Sequence, residues 1–301
     1  MARRLLVFGG GGFVGGNLCT LALSRQWEVH VADSAVRNTL RRVSWHALDI
    51  TREPEVRALL AEVQPSAVVD LAAVADVDRA ERERELARAV NVDAARAIAA
   101  ACAKAGSRCV YFSSDAVFAG TAERYVEDDP TGPMNWYGRT KADGEQAVRG
   151  ACPDAVIVRI SLVLGFPVTD GNSFLAGLEK KLASGATVPC PADEIRTPID
   201  VATLASCVLE LCTGDFRGAI HLGSTDSVDR LTLTRRAAAL MGAAPTQVTE
   251  LQSGTPQPGR APRHARGVIS VEKARALLAT PLLTWERSLQ KAFDERPKKE
   301  T

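Results

Sequence analysis

Val7-Phe-Gly-Gly-Gly-Gly-Phe-Val-Gly15 decides how this chain is read. It continues the first apolar run, Leu5–Phe8, and opens a stretch with helical spacing, Phe13–Arg25, whose apolar positions are Phe13, Val14, Leu18, Leu21 and Leu23. A continuous apolar run is what a strand buried on both faces requires. Read as GxxGxxG through Gly9, Gly12 and Gly15, the loop offers a tight strand-to-helix turn, room for a dinucleotide pyrophosphate and close helix–strand packing. The N–H groups at the helix start, Phe13 and Val14 among them, and the positive end of its dipole then face the phosphates. The alternative is a glycine-rich turn with no ligand. The position between a strand and a helix at the N-terminus argues for binding.

Outward from the loop, short β-rich runs alternate with helical patterns, the mark of βαβ units and a parallel sheet. Strands are expected at Glu28–Ala32, Ala67–Leu71, Arg108–Phe112 and Ala155–Ile160, with a helix at Pro54–Val63 and a long alanine-rich helix over Glu81–Lys104, capped at Gly106. Ala119–Asn135 reads as a loop returning to a helix that carries Tyr137 and Lys141. After Gly165 the pattern loosens: helices are expected at Asn172–Ser184, Val201–Cys212, Thr232–Met241, Val271–Ala279 and Trp285–Phe293, with a strand at Ala219–Leu222 and a connector over Gln252–Pro262. The reading is an α/β protein. A Rossmann-type doubly wound parallel sheet over residues 1–165 binds the dinucleotide. A smaller C-terminal lobe over residues 166–301 binds substrate, with some of its segments returning to the core.

Composition excludes several classes. The 301 residues are 46% apolar and 24% charged, with 37 basic against 36 acidic side chains, so charge gives no sign of a nucleic-acid or membrane partner. Seven cysteines without a CxxC pair and four histidines without ligand spacing give no metal site and no disulfide framework. No apolar stretch approaches a membrane span. The expected setting is the cytoplasm, with the thiols free.

Asp33 ends the second strand, 18 residues after Gly15. A carboxylate there accepts ribose hydroxyls and repels a 2′-phosphate, which favours NAD. Arg37, Arg41 and Arg42 follow closely and suit a 2′-phosphate, so the two signals oppose each other and use of both cofactors is expected. Asp49-Ile50 lies where the adenine edge is read, though Asp49 could equally cap the helix near Arg52.

Tyr137 and Lys141 are four apart on one helix face. A lysine ammonium beside a phenol lowers its ordinary pKa of about 10, which makes the tyrosine a general acid for a carbonyl that accepts hydride. A surface helix pair is the plainer reading of YxxxK. Ser114, at a strand end 23 residues earlier, argues against it, because its hydroxyl can bond the same carbonyl oxygen.

These pieces resemble an extended short-chain dehydrogenase/reductase, and most closely the dTDP-4-dehydrorhamnose reductase group of sugar-nucleotide reductases. The resemblance is carried by Gly9–Gly15, Asp70-Leu-Ala-Ala-Val, Val77-Asp78-Arg-Ala-Glu81, Asn91-Val-Asp, Phe112-Ser-Ser-Asp-Ala-Val-Phe118 and Asn135-Trp-Tyr-Gly-Arg-Thr-Lys141. It continues through Arg159–Gly165, Arg196-Thr-Pro-Ile and Val268–Lys273. It implies a catalytic set of Ser114, Tyr137 and Lys141, with Lys141 also holding the nicotinamide ribose. Ala72 and Ala73 would line the cofactor channel and Asn91 would support the site's geometry. Ser114 and Asp115 would face the substrate, and a homodimer would form through the helices of Glu81–Lys104 and Tyr137–Arg149.

Two departures matter. Ala116 stands where the family has an aromatic residue and where sugar-nucleotide dehydratases carry a glutamate, so dehydration is disfavoured. Arg263-His-Ala-Arg266-Gly replaces a pattern with Pro and Asn. Arg196 and Arg263 are nonetheless candidates for a substrate diphosphate. The expected activity is NAD(P)H-dependent reduction of a keto group on a nucleotide-activated deoxysugar. The alternatives are a sugar-nucleotide epimerase with retained NAD, and a non-catalytic binding subunit like the regulatory β subunit of methionine adenosyltransferase.

Overall fold

The computed structural model describes residues 3–34, 40–169, 171–251 and 259–297. Arg37 and most of the Gln252–Pro262 connector lie outside them. The first half runs β1 (Arg4–Phe8), α1 (Phe13–Ser24), β2 (Glu28–Asp33), β3 (Ser44–Ala47), α2 (Glu53–Val63), β4 (Ala67–Asp70), α3 (Val77–Arg82), α4 (Arg84–Arg88) and α5 (Ala95–Ala105). It continues with β5 (Arg108–Ser114), α6 (Trp136–Ala151) and β6 (Val156–Ile160). The second half holds β7 (Val163–Leu164), α7 (Phe174–Ala183), β8 (Val188–Pro191), β9 (Ile195–Arg196), β10 (Ile199–Asp200), α8 (Val201–Thr213) and β11 (Gly218–Leu222). It ends with β12 (Val228–Asp229), α9 (Arg230–Leu240), β13 (Val248–Leu251), β14 (Arg266–Gly267), α10 (Glu272–Leu277) and α11 (Trp285–Asp294).

Seven strands make one parallel sheet in the order β11-β6-β5-β4-β1-β2-β3. The strand order reverses beside β1, which opens a crevice at the carboxyl ends of β1 and β4. Alternation along β1 builds the two faces. Leu5 and Val7 pack toward α1 and α8, while Leu6 and Phe8 pack toward α2, α5 and α6. The fold is therefore the doubly wound α/β fold expected from the strand and helix pattern. β11 and α8 come from beyond residue 165 and complete this body. The remaining lobe has its own core, in which Leu164, Leu175, Leu178, Leu231, Leu233 and Leu289 are buried.

The expected single helix over Glu81–Lys104 is interrupted. Glu83 leaves helical geometry (φ −112°, ψ 58°), and Ala89–Ala94 forms a π-helical turn. Alanine-rich sequence favours helix everywhere, so propensity gives no sign of the break. The wider turn places Asn91, fully buried, with Oδ1 accepting from Val74 N at 2.9 Å and Nδ2 donating to Thr140 Oγ1 at 2.9 Å.

Helix α6 starts at the cap Asn135, whose side chain accepts from Gly138 N at 2.8 Å. A Cβ on Gly138 would strike the Ala116 carbonyl, so only glycine lets the helix approach the turn after β5 this closely. Further along, Glu145 is buried against Arg159 of β6. The guanidinium donates from Nε at 2.8 Å and Nη2 at 2.7 Å, and Ser113 Oγ adds a third bond at 2.6 Å. Replacing Arg159 with Met should leave the Glu145 carboxylate buried without its cation. The expected loss is about 3–5 kcal/mol of unfolding free energy, read as a lower midpoint in urea denaturation.

Candidate functional site

The glycine loop turns at Gly9, whose φ of +77° suits glycine alone, and closes with Gly12 N donating to Gly9 O at 3.1 Å. Gly15 packs against Gly9 and Gly10, where a Cβ would come within 2.6 Å of Gly10 Cα. A Cβ on Gly10 would meet the Val31 side chain at 2.7 Å, a role that a reading in threes did not single out. At Gly12 the Cβ would meet only Gly9 O, at 3.3 Å. Gly12 is the cap of α1 and has no side chain to bond the first N–H groups, which leaves those of Phe13, Val14 and Gly15 at an uncapped helix start. Thr169 Oγ1 donates to Gly11 O at 2.9 Å and so ties the loop to the second half of the chain.

A cleft of about 480 Å³ opens beside this loop, at the carboxyl ends of β1, β2 and β4. Gly9, Gly12, Asp33, Asp49, Ile50, Ala72 and Ala73 line it together, joined by Val74, Arg79, Leu86 and Val90. Asp33 Oδ2 accepts from Gly11 N at 3.1 Å, which aims the carboxylate back at the loop. Asp49 Oδ1 accepts from Thr51 N at 3.0 Å and Thr51 Oγ1 at 2.7 Å. It thus braces the turn before α2, whose cap is Arg52, while lining the cleft. Asn91 does not belong to the cleft wall. Its amide is taken up by Val74 and Thr140, so it places Val74 at the cleft and holds α6, without itself being open to a ligand.

Ser114, Tyr137 and Lys141 converge where β5 ends. Ser114 Oγ donates to Asp115 Oδ1 at 3.0 Å and accepts from Ala116 N at 3.2 Å. Burial pushes the Tyr137 phenol up to about 12, against a hydrogen bond with Ser114 that pulls it down, and the charge of Asp115 raises it further. Lys141 Nζ lies 4.2 Å from the centroid of the Tyr111 ring. Burial lowers the lysine to about 8, with Asp70 and Glu145 opposing. Burial leads for both groups and works against the charged form of each.

Asp115 is also more enclosed than expected of a residue facing substrate. Its Oδ2 accepts from Ser161 Oγ at 2.7 Å and lies 3.3 Å from His264 Nε2 and 3.7 Å from Arg196 Nε. Burial would raise this carboxyl, but His264, Arg196 and Ser161 outweigh it and hold it near 2. Arg196, a candidate for the diphosphate, is turned inward. It donates to the carbonyls of Ile195, His264 and Ala265 at 2.8–3.0 Å. Arg263 makes a two-pronged bond to Asp78 of α3 at 3.1 and 3.0 Å. These two arginines hold the 259–267 segment in place; both are spent on contacts within the chain.

A second cavity, of about 820 Å³, lies between the two halves, lined by Asn172, Ser173, Phe174, Lys181, Glu194, Arg230 and Arg260 among others. Arg230 lies over the Phe174 ring at 4.4 Å, and its Nε is buried with no hydrogen-bond partner among the described residues. Arg260 is held by Glu194 at 2.7 Å. Sequence reading missed Arg230 because it sits among ordinary helix-forming residues at the start of α9. The available signal was Asp229, which caps α9 by accepting from Thr232 N at 2.8 Å, but it marks only a helix start.

Known proteins resemble the chain over nearly its whole length. The family described as RmlD substrate binding domain matches residues 3–297. The chain is 33% identical to a dTDP-4-dehydrorhamnose reductase of Mycolicibacterium smegmatis, over 97% of this chain and 85% of that protein. It is 32% identical to a dTDP-4-keto-6-deoxy-D-glucose reductase of Streptomyces niveus, over 97% of each. The crystal structure of a dTDP-4-dehydrorhamnose reductase from Bacillus anthracis in complex with NADP superposes with a TM-score of 0.88 at 26% identity, covering 98% of this chain and 100% of that one. From its sequence, its seven-stranded parallel sheet and these matches, the chain belongs to the RmlD family of extended short-chain dehydrogenase/reductases.

Proposed function

We propose that this chain is an NAD(P)H-dependent reductase of a keto group on a dTDP-activated deoxysugar. The observation that carries the reading is that Tyr137, beside Ser114 and one helical turn from Lys141, packs with Val74 and Val90 of the 480 Å³ cleft walled by the glycine loop. The names of the relatives supply the substrate class. In this reading residues 1–165 serve the cofactor and the lobe beyond serves the sugar nucleotide. A homodimer through α5 and α6 belongs to the same reading, as does a cytoplasmic setting in which the seven free cysteines stay reduced.

The cleft fits a dinucleotide. The uncapped start of α1 offers N–H groups to a pyrophosphate, Asp33 stands where β2 ends, and the Ala72–Val74 wall presents small and apolar side chains. When bound there, a reduced nicotinamide would supply the hydride for the carbonyl carbon. Tyr137 keeps its proton until it is needed, because burial raises the phenol to about 12. Negative charge growing on the carbonyl oxygen makes that oxygen more basic than a phenolate, so the proton moves downhill from Tyr137 Oη. Ser114, held by Asp115 and Ala116 N, fixes the phenol's direction. Lys141 offers its ammonium to the ribose and to the developing phenolate. Ala116, buried in the turn after β5, has no group to eliminate water. Arg230 is the guanidinium placed to meet a diphosphate, in the cavity where Phe174 stacks on it.

A panel of dTDP-keto-sugars with NADH and NADPH tests the reading; no turnover with any of them would overturn it. Tyr137→Phe should fold and bind NADPH as the wild type does, yet turn over about 10²–10⁴-fold more slowly. Arg230→Ala removes a charged bond worth about 1.5–3 kcal/mol. It should raise KM for the sugar nucleotide by about 10- to 100-fold at 1.36 kcal/mol per tenfold, with kcat nearly unchanged. A kcat loss at unchanged KM would place Arg230 elsewhere in the reaction.

A further inference from the structure

We propose that Asp70 is a positioning residue for Lys141, a buried carboxylate that keeps the lysine ammonium charged beneath the cofactor cleft while bracing the cleft wall. The proposal rests on the cofactor role given to Lys141 above. Strand β4 reads Ala67-Val-Val-Asp70 and is buried at every position. A carboxylate at the end of such a strand costs several kcal/mol unless something compensates it. Two things do. Oδ1 accepts from Ala72 N at 3.1 Å, which fixes the backbone of the Ala72–Ala73 wall. Across the sheet, Asp70 pairs in register with Tyr111, and Lys141 Nζ stands 4.2 Å from the centroid of that ring.

Two carboxylates, Asp70 and Glu145, act on Lys141. Glu145 is already neutralised by Arg159, which bonds both of its oxygens. Asp70 has the Ala72 amide and the charge of Lys141. Asp70 is thus the counter-charge that matters to the lysine. Among the described residues no direct ion pair joins the two, so Asp70 does not take up the ammonium's donors. The other titratable groups packed here are Tyr111, Tyr137 and Cys109. Tyr111 is pushed up by burial and by the charges of Asp70, Tyr137 and Glu145. Tyr137 is raised by burial, and Cys109 by its contact with Cys102 and by burial. All three stay neutral near pH 7. Burial raises Asp70 to about 6, against Lys141, and lowers Lys141 to about 8. Removing the negative charge lets Lys141 lose its proton at lower pH.

The test uses the full chain as wild type and as Asp70→Asn, which keeps an oxygen for Ala72 N. The first readout needs no cofactor: the pH dependence of acetylation of the Lys141 amine by acetic anhydride, followed by peptide mass spectrometry. The wild-type midpoint should lie near 8 and fall by about one unit in Asp70→Asn, the low end of what a nearby opposite charge contributes. The second readout is NADPH affinity by fluorescence, whose alkaline loss should shift by the same amount. An unshifted midpoint in the variant overturns the proposal. If Asp70→Asn fails to fold, Asp70→Ser takes its place, with the same fall of the midpoint expected and an unshifted midpoint again overturning the proposal. A shifted acetylation midpoint in a protein that binds no NADPH would support the Asp70–Lys141 coupling and overturn the cofactor reading instead.

Discussion

The site depends on how α6 is tied to the sheet. This helix carries Tyr137, Lys141 and Glu145 on the face turned inward, so three polar groups enter a layer built mainly from Val, Ile and Ala. That arrangement is tolerable only because each group is met. Arg159 takes Glu145 on two prongs, the Tyr111 ring lies under the Lys141 ammonium, and Ser114 beside the Tyr137 phenol works against the rise that burial causes. The small residues of the helix make the approach possible. Gly138 lies against the Ala116 carbonyl, and Gly144 lies against Asn91 O and the Tyr111 hydroxyl. Spacing on α6 sets which groups face the site, but β5 and β6 hold them there.

Burial then shapes the chemistry in a direction opposite to that of the isolated Tyr–Lys pair. Desolvation disfavours charge on the phenol and on the lysine alike. The phenol is accordingly a proton reservoir, and the lysine needs a buried carboxylate to remain an ammonium. A weakly acidic phenol suits donation to an alkoxide, the stronger base. The same low-dielectric enclosure makes each uncompensated charge expensive, which accounts for the density of pairing around Asp115, where Ser161, Arg196 and His264 meet one carboxylate.

The two halves of the chain are joined through the functional elements themselves. Thr169 bonds the glycine loop. Asn135, the cap of α6, donates from Nδ2 to Pro262 O at 2.9 Å. Arg263 clasps Asp78 on α3.

The local signals were legible in the amino-acid order, because they are made by neighbouring residues. The apolar run of β1, the glycines at positions 9, 12 and 15, and the Tyr137–Lys141 spacing each follow from backbone sterics or helix periodicity. So did the doubly wound sheet, which alternating strands and helices leave few ways to avoid. The roles of Asp115, Arg196, Arg263 and Arg230 were not legible. Each depends on partners many positions away, such as the 185-residue separation of Arg263 from Asp78. An arginine looks the same in sequence whether it is paired inside the protein or left with a bare Nε in a cavity. Only the tertiary structure decides which, because burial and partner geometry, not residue type, set what a charge is free to bind.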